Sequence, residues 1–178
     1  DRIQGNVRNL TNILDDFLSL SKLEEGKIEV EAVCFDATSF CRDISEEMQG
    51  QARKGQEILF SQEGSSEIQA DKKLLRNVLL NLLSNAVKYS PEDTRIFLRL
   101  FVRAQEVLIE VEDQGIGIPK EEQAHLFQRF YRAKNATHIQ GTGLGLNILQ
   151  KYVALMEGQV EFRSEVGKGT LFRVTLPQ

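Results

Sequence analysis

The sequence predicts an α+β fold: a two-layer α/β sandwich with an amphipathic helix at its N-terminal end. Three observations predict it. Some short segments alternate apolar and polar residues with period two, while others repeat apolar residues at helical spacing. The two kinds do not follow one another as strict βα units, which argues against a doubly wound parallel sheet. The 178 residues, 41% of them hydrophobic, suffice for one domain with a real core plus a helical appendage.

Residues 2–25 predict one amphipathic helix. Ile3, Val7, Leu10, Leu14 and Phe17 form a heptad seam, and Leu18, Leu20 and Leu23 widen it. A stripe this wide calls for another helix against it. Gly26 stops the helix and marks the boundary between an appendage, 1–26, and a domain, 27–178. Ile28, Val30 and Ala32 alternate with charged residues and predict a strand. Asp36 reads as the N-cap of a helix over 37–53. EILFSQ and EIQA read as strands, and Asp71 caps a helix over 72–89 that Pro91 ends. IFLRLFVRA and EVLIEVED predict a hairpin around Ala104–Gln105. A short helix follows Pro119, then a polar loop over about 132–143 and a helix over 144–157 ended by Gly158. QVEFRSE and TLFRVTLP, joined by a VGKG turn, close the domain.

The formal net charge of -4 disfavours a sequence-independent nucleic-acid binder, which needs surplus Lys and Arg. Cys34 and Cys41 make neither a metal-like CxxC spacing nor a disulfide framework, which fits a reducing, cytoplasmic setting. No run reaches the ~20 apolar residues of a membrane span, so any membrane attachment would come from parts of a parent outside this sequence. The chain starts inside a helical pattern without Met and reads as a segment of a longer protein.

Four motifs carry chemistry. On the helix 72–89, Asn77, Asn81 and Asn85 recur every fourth residue and share a face. Three weak helix formers on one face cost helix stability. A solvated face would rather carry Lys and Glu, so the stripe points to a ligand, and an Asn carbonyl suits Mg²⁺. Lys88 can meet a phosphate and Tyr89 a base or sugar. The second motif, Asp113-Gln114-Gly115-Ile116-Gly117-Ile118-Pro119, follows a strand directly. Asp113 can accept from the exocyclic amine of adenine, and the glycines allow close backbone approach, although DQG is also plain turn chemistry. The third, Gly141-Thr142-Gly143-Leu144-Gly145-Leu146, opens a helix and so offers an anion site. Leu146 and the preceding polar loop exclude a dinucleotide fingerprint. The fourth, Gly167-Lys168-Gly169-Thr170, is a tight turn with Thr170 as a secondary pocket residue.

In order and spacing, NLLSNAVKYSP, DQGIGIP, FQRFYRA, GTGLGL and GKGT resemble the N, G1, F, G2 and G3 boxes of the sensor histidine kinase catalytic domain. The resemblance covers about 27–178, and LTNILDDFLSLSKLEEGK resembles the second helix of that family's dimerisation and phosphotransfer domain. It implies a Bergerat-type ATP-binding fold of the GHKL superfamily, a mixed sheet backed by helices, with ATP and Mg²⁺ as cofactors. It implies Mg²⁺ on Asn85 with Asn81 beside it, phosphate on Lys88, and the nucleotide against Tyr89. Asp113 would read adenine, with Gly115, Gly117 and Ile118 shaping the floor. Phe127 and Phe130 would pack beneath a mobile lid over about 133–143, and Arg132 would reach the phosphates. Gly141, Thr142, Gly143, Leu144, Gly145 and Leu146 would cradle the triphosphate.

Related hydrolytic ATPases of the superfamily carry Glu four residues before the metal Asn; Asn81 stands there and cannot act as a general base at neutral pH. The resemblance therefore implies a protein-histidine kinase that positions ATP for transfer to a histidine upstream, then to the Asp of a response regulator receiver domain. It also implies a homodimer of the full-length parent through the helical bundle. His125 and His138 lack the motif context of a phosphoacceptor, so the fragment would not label itself. The alternatives are a hydrolytic ATPase of the same superfamily and a non-catalytic nucleotide-binding or protein-contact module.

Overall fold

The computed structural model describes Thr11, Leu14 and residues 16–178. Within the leading helix, residues 16–24 (α1) are helical. Ile3, Val7 and Leu10 of the seam lie outside the described residues. Leu14 and Phe17 are exposed, at 57% and 60%, whereas Leu20 is buried and Leu23 packs on the core.

The domain has seven strands and three further helices among the described residues. They are β1 (Ala32–Asp36), α2 (Ala37–Gln49), β2 (Glu57–Gly64), β3 (Glu67–Asp71), α3 (Lys72–Tyr89), β4 (Arg95–Val102), β5 (Glu106–Glu112), α4 (Gly145–Leu155), β6 (Gln159–Glu165) and β7 (Gly169–Pro177). Two 3-10 turns, Lys120–His125 and Lys134–Ala136, lie between β5 and α4. The main sheet has the order β2-β4-β5-β7-β6, with β2 parallel to β4 and the other pairs antiparallel. A small antiparallel pair, β1-β3, stands apart. The expected two-layer α+β sandwich is the observed one.

The sheet's helix-facing side is apolar because alternate residues point the same way. Ile96, Leu98 and Leu100 of β4, Val107, Ile109 and Val111 of β5 and Val174 and Leu176 of β7 are essentially inaccessible. They meet Ile44 of α2, Leu75, Val78, Leu79, Leu82 and Leu83 of α3 and Leu149 and Val153 of α4 in one core. The opposite face of β5 carries Glu110 and Glu112, which are matched by Arg99 on β4 and Arg173 on β7.

Two boundaries differ from the expectation. Residues 27–31 are not a strand: β1 begins at Ala32, which pairs with Asp71, the last residue of β3. With its partner strand ended there, the chain before Ala32 has no ladder to join, and the Glu31 N–H is taken by the Asp71 carboxylate at 2.8 Å. Helix α2 stops at Gln49 rather than 53, as the Gln49 side chain turns to bond Gln56 and Ile58. The Asp36 cap is present, accepting from Ser39 N.

Candidate functional site

Helix α3 is the spine of the site. Asp71 caps it by accepting from Lys73 N and Leu74 N at 2.9 Å, which satisfies two of the free N–H groups of the first turn. Its far end is held from outside. Gln56, 3% exposed, donates its amide to the carbonyls of Val87, Ser90 and Pro91, and Arg53 donates to those of Lys88 and Ser90. A rigid α3 presents one apolar face to the core and a polar face to a cavity of about 890 Å³.

Asn77, Asn81 and Asn85 all line that cavity, as the fourfold spacing predicts. Asn85 Nδ2 donates to Asn81 Oδ1 at 3.0 Å. With its amino group so engaged, Asn85 keeps its carbonyl oxygen as the group to offer. Lys88 Nζ donates to the Tyr89 hydroxyl at 3.1 Å, and both line the cavity.

At the opposite wall, Asp113 is 8% exposed at the end of β5. Its Oδ1 accepts from Gly115 N at 2.8 Å and Thr170 N at 3.2 Å. Burial outweighs those two bonds and pushes the carboxyl up to about 6. The backbone here is tightly fitted. A Cβ on Gly117, at φ +65°, would stand 2.0 Å from Glu165 O, and one on Gly169 would stand 1.9 Å from Asp113 O. Thr170, buried, shares its hydroxyl with Ser164 at 2.9 Å, and Ser164 also accepts from Ile118 N. Ile118, Gly117 and Thr170 line the cavity; Gly115 sits behind it, orienting Asp113.

The third wall is the segment before α4. Gly141, Thr142, Gly143, Gly145 and Leu146 line the cavity. Gly145 passes so close to α3 that a Cβ would meet Asn81 Nδ2 at 2.5 Å. Gly141 is equally close to Lys88 Nζ. Helix α4 starts here with no side-chain cap, leaving its first N–H groups for a ligand.

Two expectations need correction, and a third residue has its charge engaged within its own loop. Leu144 does not line the cavity; it is 3% exposed within the core, where its apolar side chain anchors the start of α4. Phe130 does not pack beneath the loop. Its backbone takes φ +62°, which swings the ring into solvent, and Gly143 sits against that backbone instead. Phe127 does pack, edge-on to Phe162. Arg132 lines the cavity, yet its guanidinium is turned onto the loop's own carbonyls, those of Ala136, Thr137 and Ile139.

Other lining residues escape sequence reasoning. Asp16 and Ser19 come from α1, and Arg53 from the segment after α2. Asp16 accepts from the Thr142 hydroxyl at 2.7 Å, 126 positions away, and Glu24 of α1 pairs with Arg129. No local pattern encodes such contacts. Among the described residues no group of three His, Cys, Asp or Glu could hold a metal ion.

The geometry gathers an amide stripe, a buried carboxylate and a glycine-lined helix start around one cavity, the polar groups that a nucleotide-binding domain brings together. The profile of the family described as "Histidine kinase-, DNA gyrase B-, and HSP90-like ATPase" matches residues 70–178, and the chain belongs to that family. The circadian input-output histidine kinase CikA of Synechococcus elongatus is 34% identical over 99% of this chain and 24% of its own length. The sensor histidine kinase YclK of Bacillus subtilis is 31% identical over 98% of this chain and 38% of its own length. Full-length ShkA in complex with AMPPNP superposes with a TM-score of 0.84 at 30% identity, covering 94% of this chain and 35% of that one. The mycobacterial sensor histidine kinase MprB gives 0.72 at 28% identity, over 82% and 97%. The chain is thus a domain of this ATPase family with likeness to sensor histidine kinases, and it spans about a quarter of the CikA relative.

Proposed function

We propose that this domain holds ATP with Mg²⁺ as a phosphoryl donor for a histidine outside this sequence, and does not hydrolyse it. Asn85 would supply a metal ligand, Lys88 and the N-terminus of α4 would meet the phosphates, and Asp113 would accept from the adenine amine. Bound Mg²⁺ would neutralise charge on the phosphate oxygens.

The observation that carries the reading is the state of the carboxylates. The cavity is lined by Asp16, Glu47 and Asp113. Asp16 is bonded to Thr142, Glu47 is paired with Arg76, and Asp113 is bonded to Gly115 and Thr170. Beside Asn85 stands Asn81, an amide that cannot take a proton from water at neutral pH. No carboxylate stands beside Asn85 to activate water, which supports placement of the donor as what the residues supply. In the transfer the γ-phosphorus bonds to an imidazole nitrogen, its bond to the bridging oxygen breaks, and ADP leaves.

His125 and His138 are both exposed and lie outside the regular helices, so neither faces the cavity as an acceptor. The whole protein would pass the phosphoryl group to the Asp of a response regulator receiver domain. It would act in the cytoplasm as a dimer built through the leading helix, whose exposed Leu14 and Phe17 support a helical partner. No helix of the described residues is long and apolar enough to cross a membrane.

Calorimetry with a non-hydrolysable ATP analogue and Mg²⁺, alongside incubation with γ-labelled ATP, tests the reading. Binding without self-labelling and without phosphate release is expected. Steady phosphate release would make the chain a hydrolase, and absence of binding would make it a protein-contact module.

A further inference from the structure

We infer that Glu122 is a positioning residue that fixes the loop 131–139 as the phosphate-side wall of the cavity. Glu122 lies in the 3-10 turn Lys120–His125, outside the cavity lining, yet it is only 6% exposed. A carboxylate is rarely buried without partners that repay its desolvation. Here Oε2 accepts from Lys134 N at 2.8 Å.

Lys134 opens the 3-10 turn Lys134–Ala136, and Ala133 before it provides no side-chain cap. Glu122, twelve positions away, does the capping instead. The turn it caps is the one that builds the wall. Asn135 donates to Gly117 O at 2.9 Å, tying the loop to the Asp-Gly turn. Ala136 O accepts from Arg132 at 2.9 Å, and Ile139 O accepts from the same guanidinium. Tyr131, Arg132, Ala133, Asn135, Ala136 and Ile139 all line the cavity. The carboxylate thus stands behind the wall and sets its backbone, while itself lying outside the cavity lining.

This rests on the proposed function for the identity of the ligand, since the wall bears on phosphates only if a nucleotide lies with its base at Asp113. A residue that acts through this wall separates triphosphate from nucleoside. Calorimetry on the full chain with Mg²⁺ and either an ATP analogue or adenosine reads that split. Glu122→Ala should weaken the analogue by about tenfold, the loss of one charge-assisted hydrogen bond, and adenosine by less than about twofold. Glu122→Gln keeps an acceptor oxygen and should restore most of the affinity.

Amide exchange at Lys134 is read in the ligand-free chain. It should be protected in wild type and in Glu122→Gln, and fast in Glu122→Ala. If Glu122→Ala does not fold, Glu122→Gln and Glu122→Asp carry both readouts; Asp, one methylene short, should expose the Lys134 amide. An equal loss for both ligands, no loss for either, or unchanged Lys134 exchange would overturn the inference. Failure of wild type to bind nucleotide would sink the functional reading instead, and the exchange measurement would still decide the role of Glu122.

Discussion

Asn85 Nδ2 donates to Asn81 Oδ1 across one turn of α3 at 3.0 Å, so the first asparagine aims the second. The bond fixes which end of the Asn85 amide is left to face the cavity. Asn85→Ala removes the proposed metal ligand and should lower Mg²⁺-nucleotide affinity at least about 100-fold, since a metal-bridged contact is lost outright. Asn81→Ala leaves the ligand but frees its rotamer, so a loss of roughly fivefold is expected, the worth of one neutral hydrogen bond. Titrations with and without Mg²⁺ check both. If Asn85→Ala costs as much without the metal as with it, the assignment fails.

Asp113 makes binding depend on pH. Its folded pKa, about 6, lies above the ordinary carboxylate range because of burial. The folded chain therefore holds this proton more tightly than the unfolded one. The stability so contributed is fully present below about pH 4 and lost as pH rises through 6, about 3 kcal/mol at most. Asp113→Asn should flatten that part of the stability profile in denaturant titrations. A ligand amine favours the carboxylate, so adenosine affinity should rise between pH 5 and 7 with release of a proton. Calorimetry in buffers of different ionisation heat measures that proton, and no release would contradict the adenine role.

Much of this site was legible because its signals are local. The Asp71 cap, the apolar stripe and Pro91 bound α3 to the residue, and the fourfold asparagine spacing places the amides on one face without tertiary information. Asp113 was readable as a carboxylate at a strand end followed by glycines. What was not legible depended on how the chain packs on itself, near or far. Leu144 sits among ligand-type glycines but is claimed by the core. Arg132 has the charge for a phosphate, yet in this structure it bonds carbonyls of its own loop. Gln56 looks like any surface glutamine until Val87 and Ser90, 31 and 34 positions on, come to lie over it.

That buried amide yields a stability prediction. Gln56→Leu keeps the volume but leaves the Val87 carbonyl without its donor, whereas Ser90 keeps Arg53 and Pro91 keeps the Thr94 hydroxyl. A loss of about 1–3 kcal/mol is expected, one buried unsatisfied acceptor. Chemical denaturation measures it. The end of α3 carries Lys88 and Tyr89, so nucleotide affinity should fall in the same variant. A change under about 0.5 kcal/mol would show that Arg53 alone holds the helix end.

Two glycines of equal backbone hand separate strain from overlap. Gly117 and Gly167 both have positive φ, +65° and +77°. A Cβ on Gly117 would collide with Glu165 O, whereas one on Gly167 would meet nothing within 4 Å. Gly167→Ala should cost about 1 kcal/mol, the left-handed penalty alone, and lower Tm by roughly 2–4 °C. Gly117→Ala adds the backbone clash and should cost about 3 kcal/mol, or roughly 6–12 °C. Equal melting shifts would mean that the Asp-Gly turn relaxes without resistance.

The contact between α1 and the glycine loop is the longest-range hydrogen bond of the site. Asp16 accepts from Thr142 at 2.7 Å, and Leu144 N in turn donates to the same Thr142 hydroxyl at 3.2 Å. A shift of α1 would therefore be felt at the first turn of α4. Asp16→Ala and Thr142→Val should each speed amide exchange over 141–145, and the double variant should be little worse than either single one. A coupling of about 1 kcal/mol is expected from the denaturation cycle. Strictly additive effects would mean that the helix and the loop are neighbours without a shared bond, and that whatever moves α1 leaves the cavity unchanged.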